Sequence, residues 1–222
     1  MTDSKANAFG AAHAQNYAQG PRRQVPGFAD LHRMTSMLLA ERVPPHGRIL
    51  VVGAGGGLEL KALADDHPAW TLDGIDPSAD MLQAAATLTS AHSERIRLHQ
   101  GYVDAAPPGP FDGGTCLLTL HFVPRAERLE TLSQIHRRLK PGAPFIVAHV
   151  SLPQSPSERS MWIKRHVAFA GTANAREAER IIASRLTILS PEEDEKLLCE
   201  AGFTGVSLFY AGLSFKGWVG YA

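Results

Sequence analysis

A chain of 222 residues, 44% hydrophobic and 20% charged, is long enough to bury the core of one α/β domain with an added segment. Its 22 basic residues balance 22 acidic ones, so no net field draws it to nucleic acid or anionic lipid, and little repulsion opposes a homodimer. Cys116 and Cys199 make no disulfide framework, the ten histidines lack a ligand-spaced set, and Met1 to Gly10 lacks a secretory pattern; a cytoplasmic protein with reduced thiols, no metal and no membrane span is expected.

Residues 1–20 are rich in Ala, Gln, Asn and Gly and are expected to be partly mobile. Phe28 to Arg42 reads as a helix with Leu31, Met34, Met37 or Leu38 and Glu41 along it, stopped by Pro44 and Pro45. The pattern then alternates. Arg48 to Val52 is a buried strand and Leu58 to Asp66 a helix. Trp70 to Ile75 is a strand and Ser78 to Thr89 a helix. Ile96 to Gln100 and Gly113 to Leu120 are the third and fourth strands. Arg125 to Leu139 is an amphipathic helix with Leu129, Leu132, Ile135 and Leu139 on one face, and Phe145 to Val150 is the fifth strand. This order predicts a parallel sheet with helices on both faces.

Beyond Val150 the character changes. Residues 153–188 read as an insertion with two helices. Ser190-Pro191-Glu192-Glu193 is a helix start: serine at the N-cap, proline first, and glutamate at the capping-box position. Two last strands, about Val206 to Tyr210 and Phe215 to Tyr221, lie close enough for a hairpin. The sheet would then finish antiparallel, with seven strands.

The sharpest motif is Gly53-Ala54-Gly55-Gly56-Gly57, between the first strand and its helix. Glycines let the backbone take positive φ and let a ligand approach the main chain. The dinucleotide fingerprint Gly-x-Gly-x-x-Gly fails, because its third glycine would fall on Leu58. The Gly-Lys-Ser/Thr of a phosphate-binding loop is absent too. Asp76 closes the second strand about twenty residues on, the distance of a ribose-binding acid. A carboxylate there can accept both ribose hydroxyls, or it can simply cap the next helix.

Several pieces together resemble the class I S-adenosylmethionine (SAM)-dependent methyltransferases of small-molecule type. They are the glycine loop, Gly74-Ile75-Asp76-Pro77-Ser78, Pro110-Phe111-Asp112, Leu120-His121-Phe122, Leu139-Lys140-Pro141-Gly142 and Glu200-Ala201-Gly202-Phe203. The resemblance runs from about Ala12 to the C-terminus. Val25-Pro26-Gly27 and the C-terminal hairpin also resemble carboxy-SAM synthase, which modifies SAM itself.

The resemblance implies a doubly wound, Rossmann-like fold. Residues 1–45 would form an N-terminal lid, 46–222 the SAM-binding domain, and 153–188 a roof over the acceptor. It implies SAM as cofactor, held by Gly53, Ala54, Gly55, Gly57, Asp76, Pro77, Met81, Tyr102, Val103, Asp104 and Leu120. It implies His121, Tyr17 and His166 around the reaction, with a small molecule as acceptor. His121 is either a base, for which its ordinary pKa is suitable, or a histidine bonded to backbone. Tyr17 is either a lid residue or an exposed loop residue. Trp162 and Phe169 share a helical face, as core packing or as acceptor contacts. Arg176 and Arg180 could bind a carboxylate or face solvent.

Two positions depart from the family pattern. Val51 stands where the family carries an acid that helps hold the methionine amino group. Tyr102 stands where the family has an acid near the adenine amine; it could stack on the ring or pack on the surface. The family motif Asp/Asn-Pro-Pro-Tyr is missing after the fourth strand. With zero net charge and no basic stripe, nucleic acid is disfavoured as acceptor. Methyl transfer from a sulfonium needs alignment and dryness more than an acid or base. The same fold also accommodates an enzyme that modifies or cyclises SAM, a non-catalytic SAM binder, or, remotely, a dinucleotide oxidoreductase.

Overall fold

The computed structural model describes residues 20–222. In chain order the elements are α1 (Gly20–Gln24), α2 (Phe28–Ala40), β1 (Arg48–Val52), α3 (Leu58–Asp66), β2 (Thr71–Asp76), α4 (Ala79–Leu88), β3 (Ile96–Gln100), β4 (Gly113–Leu117), α5 (Arg125–His136), β5 (Pro144–Val150), α6 (Pro156–Ala170), α7 (Ala175–Arg185), α8 (Pro191–Glu200), β6 (Thr204–Gly212) and β7 (Phe215–Tyr221). They form a doubly wound α/β fold around one seven-stranded sheet of order β3-β2-β1-β4-β5-β7-β6. The strands β1 to β5 pair in parallel, and β7 runs antiparallel to both β5 and β6.

The central strands are buried because helices cover both faces. Every residue of β4 and β5 is buried, and only Arg48 of β1 is not. One apolar cluster joins Ile49, Val51, Leu60, Leu72 and Ile146 to α2. The other joins Leu50, Val52, Cys116, Val147 and Trp218 to α5 and α8. No helix among the described residues is long and apolar enough to cross a membrane.

Three expected faces are corrected. On α5 the buried positions are Arg128, Leu132 and Ile135, while Leu129 is 38% exposed. The spacing i, i+4, i+7 is obeyed, with a charged residue in the stripe. Arg128 is admitted because its Nη1 donates to Asp194 Oδ1 of α8 at 2.8 Å, and its Nη2 donates to the Thr187 carbonyl. On α2 the inward stripe is Phe28, Leu31, Thr35, Ser36 and Leu39, and Met37 is exposed. On α6 the buried residues are Ile163, His166 and Val167; Phe169 is exposed, while Trp162 packs partly against the core.

Two boundaries also moved. β4 ends at Leu117, not at 120: Leu118 turns to φ +56°, and Leu120–Phe122 is a short 3-10 turn. α5 stops at His136, and Leu139 instead bridges to Phe111. Ser190 forms the expected capping box, accepting from Glu193 N at 3.2 Å while Glu193 Oε2 accepts from Ser190 N at 3.1 Å.

Candidate functional site

The strand order reverses between β1 and β4, which leave the sheet centre toward opposite sides. In open α/β sheets the crevice outside the carboxyl ends of the strands at such a switch point is where ligands bind. Here β1 runs into the glycine loop. The N–H groups of Gly53 and Ala54 both donate to the Ile75 carbonyl, at 2.8 and 2.9 Å, tying the loop to β2. Gly53 has φ +75°, and a Cβ there would meet Thr119 Oγ1 at 2.0 Å. Gly57 has φ +84°, and its Cβ would press on the Ala85 backbone of α4 at 2.9 Å. A side chain at either position is strained and crowded.

Asp76 stands at the end of β2, beside the loop. Its Oδ2 accepts from Gly55 N at 2.9 Å and its Oδ1 from Ser78 N at 2.9 Å. So it does anchor the turn into α4, where Ser78 caps Met81 N at 3.3 Å. Each oxygen keeps a second lone pair, so anchoring and ribose binding are compatible. Burial raises the Asp76 pKa against those two backbone bonds. The carboxylate is therefore poorly hydrated, a state that two ribose hydroxyls would relieve.

The end of β3 adjoins this corner, with Gly101 N donating to the Asp76 carbonyl at 3.1 Å. Tyr102 follows, 64% exposed, with Val103 buried and Asp104 exposed. Pro77 and the buried Met81 begin α4 next to Asp76. Leu120 is buried after β4. Thus Gly53, Ala54, Gly55, Gly57, Asp76, Pro77, Met81, Tyr102, Val103, Asp104 and Leu120 all lie at the carboxyl ends of β1 to β4 or in the loops, turns and first helical turn that follow them.

The histidines need a correction of role. His121 is buried, and its Nδ1 accepts from Val150 N at 3.2 Å. An accepting Nδ1 leaves the proton of the neutral ring on Nε2. Burial, with His149, Arg128 and His166 nearby, holds its pKa well below the ordinary value. It is a neutral donor and a weak base. His166 of α6 is buried with Nδ1 2.6 Å from Ser214 Oγ, and burial lowers its pKa. It joins the insertion to the β6–β7 turn. Tyr17 lies outside the described residues.

Six residues on the crevice were missed as site residues by sequence reasoning: Phe28, His32, Leu58, Glu59, Leu117 and Leu118. A small cavity at the switch point is lined by Gly53, Ala54, Leu58, Leu117, and by Phe28, His32, Glu59 and Leu118. Phe28 and His32 come from α2, which the sequence placed only as a lid. Leu118 reaches the cavity through its left-handed backbone, and such strain gathers at functional sites. Glu59 is seven-hundredths exposed in the first turn of α3, where an acid ordinarily signals only the helix dipole. Among the described residues no group of His, Cys, Asp and Glu is arranged to hold a metal.

The comparisons agree with this geometry. Residues 49–142 match the model of a methyltransferase domain. That match spans about two-fifths of the chain, and the fold is that of the class I SAM-dependent methyltransferases. A carboxy-S-adenosyl-L-methionine synthase of Chromohalobacter salexigens is 27% identical over 213 residues, covering 90% of this chain and 77% of that one. A ubiquinone/menaquinone biosynthesis C-methyltransferase of Geobacter sp. is 29% identical over 121 residues, covering 52% and 51%. Human N-acetylserotonin methyltransferase, solved in complex with SAM, superposes with a TM-score of 0.67 at 14% identity. That match covers all of this chain and 59% of the human one, so the chain spans about three-fifths of that structure's length. The cofactor of this methyltransferase fold is SAM, and a glycine loop, a poorly hydrated Asp76 and a buried carboxyl at Glu59 fit its ribose and cationic arm.

Proposed function

We propose that this protein is a SAM-dependent methyltransferase that transfers the SAM methyl group to a small-molecule acceptor. The observation that carries the reading is the crevice at the β1/β4 switch point. It has a ribose acid, Asp76, on one side of the glycine loop and a small cavity lined by Glu59 on the other. Bound SAM supplies an electrophilic methyl on a sulfonium. The chain supplies position and dryness: Gly53 to Gly57 and Asp76 seat the nucleoside, Tyr102 and Val103 flank the adenine, and α2 with α6 and α7 shields the reacting end. His121, neutral with its proton on Nε2, orients a partner by donation and does not deprotonate it. The acceptor must therefore be nucleophilic as it arrives. Zero net charge supports a metabolite over a nucleic acid.

A second reading has its own support, since curated relatives along most of the chain are named carboxy-SAM synthases. In it SAM is itself the substrate. One incubation separates the two. The purified protein is mixed with SAM alone, and the nucleosides are identified by mass spectrometry. Unchanged SAM, followed by release of S-adenosylhomocysteine when a metabolite mixture is added, supports methyl transfer. An altered SAM or methylthioadenosine formed with no methyl acceptor overturns it.

A further inference from the structure

The family acid missing at Val51 leaves an unanswered charge. The methionine arm of SAM ends in an ammonium, and an ammonium in a closed crevice needs an anionic or carbonyl partner. Val51 is fully buried among apolar side chains and offers none. The sheet register pairs Val51 with Thr115 of β4, so their side chains project from the same face of the sheet. Glu59 reaches that face from α3: the Thr115 hydroxyl lies against its carboxyl and partly offsets the effect of burial. Yet Glu59 Oε1 and Thr115 Oγ1 are both buried without a hydrogen-bond partner of good geometry among the described residues. Glu59 also lines the switch-point cavity beside Gly53, Ala54 and Leu118. The opposite side of the glycine loop holds Asp76. A ligand whose ribose sits on Asp76 and which crosses the loop toward β4 brings its far end to this cavity.

We propose that Glu59 binds the ammonium of the SAM methionine arm, replacing from helix α3 the acid that the strand position Val51 lacks. This rests on the reading that the crevice holds SAM. An unpaired carboxyl is a costly thing to bury, and a cationic ligand is the partner that would make it favourable. Burial raises the Glu59 pKa to about 7, so the free protein carries it largely as the acid below neutrality. Ammonium binding stabilises the carboxylate. The carboxyl O–H bond then breaks, the electron pair stays on oxygen, and the proton leaves to buffer. The neighbouring titratable groups are His32 on α2 and Cys116 on β4. Burial, helped by Arg22, holds His32 at about 4. Burial and Glu59 push the Cys116 thiol far up against the pull of Arg128 on α5. Neither exchanges a proton near pH 7.

The test is calorimetry on the whole chain, with SAM and with methylthioadenosine, which lacks the aminobutyrate arm. Glu59→Gln should weaken SAM by at least about tenfold and leave methylthioadenosine within about threefold. Titrations at pH 6.5 in buffers of different ionisation enthalpy should show wild type releasing on the order of half a proton or more with SAM. They should show none for methylthioadenosine. The proposal is overturned if Glu59→Gln binds SAM as wild type does, or if it loses both ligands equally. It is equally overturned if wild type releases no proton, a reading that needs no variant to fold. Failure of wild type to bind either nucleoside overturns the SAM reading itself. Binding of both with no arm-specific effect overturns only the role of Glu59.

Discussion

Asp76 and Glu59 show how single carboxyls in one crevice are set by their partners. Asp76 is held by two backbone N–H groups, and removing it loses the loop anchor together with the proposed acceptor for ribose. Asp76→Ala should weaken SAM binding by more than about tenfold, read by calorimetry; wild-type affinity would place the ribose elsewhere. Glu59 is buried without such backbone partners, its Oε1 unbonded among the described residues. Burial pushes its folded pKa up to about 7, above the ordinary 4.5 of a glutamate. A raised carboxyl contributes stability that is present below the unfolded pKa and lost as pH rises through the folded one. Glu59→Gln should therefore melt close to wild type at pH 5 and higher than wild type at pH 8. Equal shifts at both pH values would show that burial does not perturb this carboxyl. Asp76 was legible because its place after the second strand is a recurring pattern. Glu59 was not, because the feature that singles it out is a missing partner, which depends on what packs over it.

At the scale of elements, α5 and α8, packed into one apolar cluster, are joined by Arg128 and Asp194, 0% and 3% exposed. His149 Nε2 of β5 lies 3.1 Å from Asp194 Oδ2, and Thr187 N donates to the His121 carbonyl at 2.9 Å. The segment that follows the insertion is thereby fastened to the turn after β4. Breaking a buried pair strands the other charge. Asp194→Ala should cost about 3–5 kcal/mol in denaturant unfolding, and a loss below 1 kcal/mol would show that Arg128 finds water. The N-cap of α8 is more modest, so Ser190→Ala should cost about 1 kcal/mol in the same assay. The cap was readable because all its atoms lie within four residues. Arg128 was not, because the amphipathic rule expects leucine inward and its partner is 66 positions away.

At the scale of the molecule, burial of neutral histidines ties the fold to pH. His32 is held at about 4 by burial and by Arg22, and burial lowers His121 and His166. A histidine with a depressed folded pKa contributes stability present above its unfolded pKa, near 6.5, and lost as pH falls through the folded value. The melting temperature should thus fall progressively between pH 6.5 and about 4. His166→Gln, which keeps a polar side chain facing Ser214, should flatten part of that fall. In the Glu59→Gln background, which removes the carboxyl that pulls the other way, a melting temperature constant over this window would mean these rings are protonated without cost.

What the sequence determined by itself is local or periodic. Strands β1 and β3, helix α3, the glycine loop, Asp76 and the capping box are each set by neighbours within a turn or a strand, so their physics is complete in a short window. The parallel sheet with helices on both faces followed from the alternation of strands and helices. What only the tertiary structure decided is which polar groups are buried together and whether each finds a partner. It put Arg128 inward, ended β4 at the left-handed Leu118, turned His121 into a donor, and carried α2 to the crevice. It also laid the carboxyl of Glu59 beside Thr115, the register partner of Val51, 56 positions away in the chain. Desolvation and pairing depend on everything within a few ångströms of an atom, and the chain brings those neighbours from segments that no local pattern connects.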